Sequence, residues 1–259
     1  MRPATSRRRR AAAMSQVAPL LTRWHRSLFR RLAGAINAGG GLMLQGTPLA
    51  FSRHGIDLRA LRRHWIAGRP KGNDLDLARL SFLALNIAAL ERERVPGAFA
   101  ELGVWRGNSA KAIHALAPAR RLYLFDTFEG FDAADAGDSR SIMVHFRDTS
   151  AARVRDFIGA AADLRIVPGR FPETAAAVPA EERFAFVQID CDLYPPTLAA
   201  LEFFYPRMAP RGLVVVHDYA SGRWPGVARA VDEFLAGKPE ALLQVPDVSG
   251  SAAFRRAPA

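Results

Sequence analysis

The residues that could do chemistry gather where apolar runs end. The string Glu101-Leu102-Gly103-Val104-Trp105-Arg106-Gly107-Asn108-Ser109 closes one such run, and a helical pattern begins at Asn108 or Ser109. Its glycines permit a tight turn and close backbone approach, so amide donors and an acid sit beside whatever binds there. Leu124-Phe125-Asp126 closes the next run, and an aspartate at this distance from the glycine turn suits a carboxylate that accepts hydrogen bonds from two ribose hydroxyls. Asp190-Cys191-Asp192 and His217-Asp218 close two later runs. Carboxylates and an imidazole converging on one mouth can hold a divalent cation, while a free carboxylate or imidazole can take a proton from a hydroxyl.

The glycine turn is not the dinucleotide pattern, because Trp105 stands where a second bare glycine would be needed to approach a pyrophosphate. S-adenosylmethionine carries no phosphate, and its ammonium group would meet Glu101. The expected cofactor contacts are Glu101, Gly103, Val104, Trp105, Gly107 and Ser109 on the first turn. Asp126 and Phe128 follow on the second turn, then Gly169 of Gly169-Arg170-Phe171 beside the adenine, and Asp190. Phe128-Glu129-Gly130-Phe131 is a lid candidate. For a metal the expected ligands are Asp190, His217 and Asp218, with Asp192 or His217 as the base. Cys191, the single cysteine, has no acid-base partner spaced as in a thiol enzyme and reads as packing.

These positions need a scaffold that brings several run ends together. Apolar runs at 99–105, 121–125, 164–167, 184–189 and 212–216 alternate with helical patterns near 108–117, 150–160, 197–208 and 226–236. Repeated strand-then-helix units predict an α/β fold, a doubly wound and mostly parallel sheet with helices on both faces. Ligands then lie beyond the carboxyl ends of the strands. Runs at 242–246 and 252–256 around Val248-Ser249-Gly250 predict an antiparallel pair at the sheet edge. Upstream, residues from Leu75 to Arg94 repeat at helical spacing and stop before Pro96-Gly97, after a stretch read as a loop rich in Gly and Pro.

Charge divides the chain. Residues 1–56 hold ten of the 36 basic residues and no acid, leaving 26 against 25 acids in residues 57–259, so the net charge of +11 belongs to the amino-terminal extension. We therefore expect a basic extension over 1–56 and a catalytic domain over 57–259. Residues 1–16 are expected to be disordered, as an organellar leader or as upstream sequence if translation starts at Met14. Leu20, Leu21, Trp24, Leu28, Leu32 and Ile36 recur at helical spacing with arginines opposite, predicting an amphipathic helix over about 18–37. Such a helix packs on the domain or a second subunit, or makes weak contact with a membrane surface. A neutral domain with a basic arm does not indicate nucleic acid as a partner. One cysteine excludes an intrachain disulfide and fits a cytoplasmic location, and no apolar window of about 18 residues indicates a membrane span.

From about Leu75 to Arg256 the chain resembles the macrocin O-methyltransferase (TylF/MycF-type) family of class I methyltransferases. The matching strings, in order, are Pro96-Gly97, Glu101 to Gly107, Phe125-Asp126-Thr127-Phe128-Glu129-Gly130, Gly169-Arg170-Phe171, Asp190 to Tyr194, and His217-Asp218-Tyr219 with Gly226 to Phe234. The resemblance implies a seven-stranded sheet, S-adenosylmethionine as methyl donor, Mg²⁺, a sugar hydroxyl as acceptor and often a homo-oligomer. It further implies that Glu101 and Gly103 form the cofactor turn, Asp126 accepts from the ribose and Asp190 binds metal. Asp218 is similar to the second of the family's paired aspartates. His217 stands where the first is expected, exchanging a hard oxygen for imidazole. Two other readings are a nicotinamide-dependent oxidoreductase, disfavoured by Trp105 and the lack of a Tyr-x-x-x-Lys pair, and a module that binds membranes or polyanions through the arginine arm.

Overall fold

The computed structural model describes residues 49–67, 76–131, 146–159 and 163–258, with isolated positions between 28 and 38. Residues from Ala50 onward form one compact unit, which therefore starts slightly before residue 57. The amphipathic helix expected over 18–37 falls almost wholly outside the described residues. Of its apolar positions Leu28 and Leu32 are described, and both are exposed.

Two short helices open the unit, α1 (Leu49–Arg53) and α2 (Leu58–Ala67). Their presence corrects the loop reading of this stretch. Asp57 starts α2 by accepting from the amides of Arg59 and Ala60, and the helix buries Leu61 and Trp65 while its arginines face out. Helix α3 (Leu77–Arg92) starts at Asp76, whose side chain accepts from the amides of Ala78 and Arg79. Its buried face carries Leu80, Leu83, Ala84, Ile87 and Leu90, together with one charged residue, Arg79.

The alternating segment then builds β1 (Ala98–Leu102), α4 (Asn108–Leu116), β2 (Leu122–Asp126), α5 (Ala151–Ile158), β3 (Leu164–Pro168) and β4 (Phe184–Ile189). After these come α6 (Tyr194–Phe204), β5 (Met208–Val216), α7 (Pro225–Leu235), β6 (Leu243–Gln244) and β7 (Ala252–Arg255). Proline fixes both ends of α6, with Pro195 and Pro196 in its first turn and Pro206 just beyond its end. The helix consequently begins and ends earlier than the 197–208 pattern suggested.

The strands form one seven-stranded sheet in the order β3-β2-β1-β4-β5-β7-β6, parallel from β3 to β5 and antiparallel at β7 and β6. Both faces of β1 and β4 are buried, as expected of parallel strands covered by helices on each side. One core layer packs α2, α3 and α4 against the sheet; the other centres on a ring cluster of Phe125, Phe171, Phe184 and Phe204. The chain leaves β1 toward β2 and β3, then returns to place β4 on the other side of β1. This reversal opens a crevice beyond the carboxyl ends of β1 and β4.

Candidate active site

Strand register brings the chemistry-bearing residues level. Leu102 pairs with Phe125 and with Ile189, and Ile189 pairs with Val216, so Gly103, Asp126, Asp190 and His217 leave the sheet side by side. Backbone bonds continue the ladder one residue further: Gly103 donates to Phe125, Asp190 to Leu102 and His217 to Ile189, at 2.9, 2.7 and 2.9 Å. A cavity of about 490 Å³ lies over these ends.

The turn after β1 is built by glycine. At Gly103, φ is +86° and a Cβ would lie 1.8 Å from the Asp190 carbonyl oxygen, so any side chain would collide with the neighbouring strand end. Gly107, at φ +81°, caps α4, and a Cβ there would press on Val154. Between them Trp105 is left-handed at φ 47°, a conformation that costs about 1 kcal/mol or more for such a side chain. Asp126 holds the turn. Its Oδ2 accepts from the amides of Val104 and Trp105, both at 2.7 Å, and its Oδ1 accepts from the amide of Phe128 at 2.6 Å. A carboxylate offers roughly four lone-pair positions, so one remains for a ligand hydroxyl.

Gly103, Val104, Trp105, Ser109, Asp126, Gly169 and Asp190 line the cavity; Glu101, Gly107 and Phe128 do not. Glu101 is fully buried behind the turn, where its Oε1 accepts from Ser109 Oγ and, at 2.8 Å, from Gln188 Nε2. Burial pushes its carboxyl up to about 8, against the opposing pull of Ser109 and Arg79. Ser109, which donates to Glu101, lines the cavity, whereas Glu101 lies behind it with its Oε2 buried and unpartnered. Phe128 packs on the core, while Phe131 faces the cavity and lies 5.8 Å from the Trp224 ring.

On the other side of the crevice the side chains are charged and closely packed. Asp190 Oδ2 accepts from Arg79 Nη2 at 2.5 Å, and Asp190 Oδ1 lies 2.9 Å from His217 Nδ1. His217 Nδ1 also lies 2.7 Å from Asp218 Oδ2, yet neither carboxylate oxygen lies along the imidazole N–H direction. Asp190 resists the upward push of burial because the charges of His217 and Arg79 hold it well below the usual carboxylate range. Burial and Arg79 oppose the His217 charge, but Asp190 and Asp218 outweigh them and raise the imidazole to about 9. Asp192 is pushed well above the usual carboxylate range, first by burial and then by Asp190 and Asp218. Asp192 and Asp218 both line the cavity from left-handed backbone, at φ 63° and 59°. Burial raises the Cys191 thiol to about 12, and its sulfur lies 3.3 Å from Thr197 Oγ1, an unreactive environment.

Asp190, His217 and Asp218 each offer a donor atom within 4.8 Å of the others. Bonds of about 2.1 Å at right angles separate neighbouring donors by about 3 Å, close to the 2.9 and 2.7 Å between His217 and the two carboxylates. With its nitrogen buried and lacking a directed hydrogen bond, His217 fits this trio to a divalent cation. Arg79, Trp65, Arg223 and Trp224 also line the cavity and were not singled out from the sequence. Arg79 had a signal, because it precedes Leu83, Ile87 and Leu90 on the apolar stripe of α3.

A family model described as macrocin-O-methyltransferase (TylF) matches residues 73–252, the segment that carries the glycine turn, the ribose-acceptor candidate and the acidic cluster. The chain belongs to the macrocin-O-methyltransferase family. Among similar proteins, an 8-demethyl-8-(2,3-dimethoxy-alpha-L-rhamnosyl)-tetracenomycin-C 4'-O-methyltransferase of Streptomyces olivaceus is 32% identical over 182 residues, 63% of this chain and 68% of that one. A mycinamicin III 3''-O-methyltransferase of Micromonospora griseorubida is 30% identical over 178 residues, 62% of this chain and 68% of that one. The solved O-methyltransferase NovP superposes with a TM-score of 0.61 at 25% identity, covering 77% of this chain and 88% of its own. This member of the macrocin-O-methyltransferase family is therefore an S-adenosylmethionine-dependent O-methyltransferase, and the nicotinamide reading is set aside. Among the described residues no helix is long and apolar enough to cross a membrane.

Proposed function

We propose that this O-methyltransferase methylates a hydroxyl of a sugar or sugar-containing small molecule, with assistance from a divalent cation at Asp190, His217 and Asp218. The observation that carries the reading is the pairing, across one crevice, of an amide-lined glycine turn with a buried carboxylate and imidazole cluster. The relatives' names specify methylation of a rhamnosyl-bearing tetracenomycin and of a mycinamicin, which supports a glycoside acceptor. The cysteine count supports a cytoplasmic site of action.

S-adenosylmethionine supplies an electrophilic methyl group, and a divalent cation lowers the pKa of a nearby hydroxyl and fixes its lone pair. The chain's residues divide the remaining work. Asp126 offers its remaining lone pair to the ribose, with its carboxylate already fixed by three amides. Arg79 holds one oxygen of Asp190, leaving the other directed at His217. Asp192 lines the cavity beside this cluster and is the base, a carboxylate placed to take the proton of an acceptor hydroxyl bound over the strand ends. In the transfer the acceptor oxygen forms a bond to the methyl carbon, the carbon–sulfur bond breaks with its electron pair left on sulfur, and the hydroxyl proton passes to Asp192. Phe131 and Trp224 cover the acceptor end with apolar rings that exclude water.

The test is transfer of labelled methyl from S-adenosylmethionine to a panel of glycosides by wild type and Asp192→Asn. Turnover by wild type, lost by about 10³-fold in the variant with S-adenosylhomocysteine binding retained, is the expected result. Full activity of Asp192→Asn would remove the base assignment, and inactivity of wild type toward every hydroxylated glycoside would remove the acceptor class.

A further inference from the structure

The proposed ion site discriminates between ions through the chemistry of its donors. Mg²⁺ is hard and strongly hydrated and is served by carboxylate, carbonyl and water oxygens, whereas imidazole favours later first-row ions. His217 is only 9% exposed, and its Nδ1 is buried between Asp190 and Asp218 without a directed hydrogen bond. That nitrogen lies 2.9 Å from one Asp190 oxygen and 2.7 Å from one Asp218 oxygen. Arg79 donates to the second oxygen of Asp190 at 2.5 Å, which disfavours chelation of an ion by both Asp190 oxygens in place of the imidazole. The remaining donor set is two carboxylate oxygens and one nitrogen, which resembles the mixed sites of borderline ions more than an oxygen-only Mg²⁺ site.

We propose that Asp190, His217 and Asp218 select a borderline first-row ion, of the class of Co²⁺, Ni²⁺ or Zn²⁺, over Mg²⁺, and that His217 sets this preference. The proposal rests on the metal-assisted reading above. Because almost any site binds Co²⁺ more tightly than Mg²⁺, the informative quantity is how the ratio of the two affinities changes when His217 is replaced by an oxygen donor.

The experiment is calorimetric titration of the full chain, loaded with S-adenosylhomocysteine, with MgCl₂ and CoCl₂ at one fixed pH, on wild type and His217→Asp. The ratio of Mg²⁺ to Co²⁺ dissociation constants is expected to be at least about tenfold larger in wild type than in the variant. X-ray absorption of Co²⁺-loaded wild type needs no variant and is expected to show the outer-shell scattering of one imidazole. Ion binding with an unchanged ratio, or a Co²⁺ shell without imidazole, would overturn the proposed preference alone. Failure of wild type to bind either ion would overturn the metal-assisted reading as well, so the two failures are distinguishable.

Discussion

The two sides of the crevice are built by different means. Beyond β1 and β2 the site is mostly backbone: glycines at φ +86° and +81°, a left-handed Trp105, and amides gathered by Asp126. Beyond β4 and β5 it is side chains in charge balance, with Arg79 and His217 set against Asp190 and Asp218. The first kind of site fixes shape and tolerates little change of backbone. The second fixes charge and tolerates substitutions that keep the balance. On the function proposed above, the cofactor takes the first side and the acceptor the second.

This contrast can be broken most strongly at Asp190. Removing its carboxylate in Asp190→Ala leaves the Arg79 charge, on a side chain 8% exposed, without its partner. The expected cost is about 3–5 kcal/mol in chemical denaturation, most of it recovered by adding Arg79→Met. No recovery would mean that charge balance does not govern this side. The backbone side breaks at Gly103→Ala, whose Cβ would sit 1.8 Å from a carbonyl oxygen. A loss of about 2–3 kcal/mol is expected, together with cofactor affinity, and no neighbouring substitution should restore it.

Two smaller effects sharpen the comparison. Asp126→Asn keeps the size but replaces one of two accepting oxygens with a donor that faces backbone amides, so S-adenosylhomocysteine affinity should fall by about tenfold. At Glu101 the folded-state pKa of about 8 lies above the ordinary 4.5. The protonated carboxyl is therefore favoured in the folded state, and its contribution to stability is present at low pH and lost as pH rises toward about 8. Glu101→Gln, which stays neutral, should flatten the fall in denaturation midpoint between about pH 5 and about pH 8. An unchanged slope would place the pH dependence elsewhere.

The sequence displays the five parallel strands well because each is a largely apolar run closed by glycine, aspartate or histidine, and the final hairpin is legible from its turn residues. It also displays which residues end up together, since the carboxyl ends of parallel strands must share one edge. Depth is harder to read. Both faces of β1 are buried, so alternation cannot reveal that Glu101 points behind the turn instead of into the cavity. Helix α2 is obscured because only Leu58, Leu61 and Trp65 mark its apolar stripe among arginines. The role of Arg79 depends on a partner 111 positions away, a pairing that no local pattern encodes.

The most direct measurement is calorimetric titration of the full chain with S-adenosylhomocysteine, comparing wild type, Asp126→Asn and Asp192→Asn. The division of the crevice into a cofactor side and a chemical side predicts micromolar binding by wild type, clear weakening in Asp126→Asn and unchanged binding in Asp192→Asn. Absence of binding by wild type, or equal loss in both variants, would contradict it.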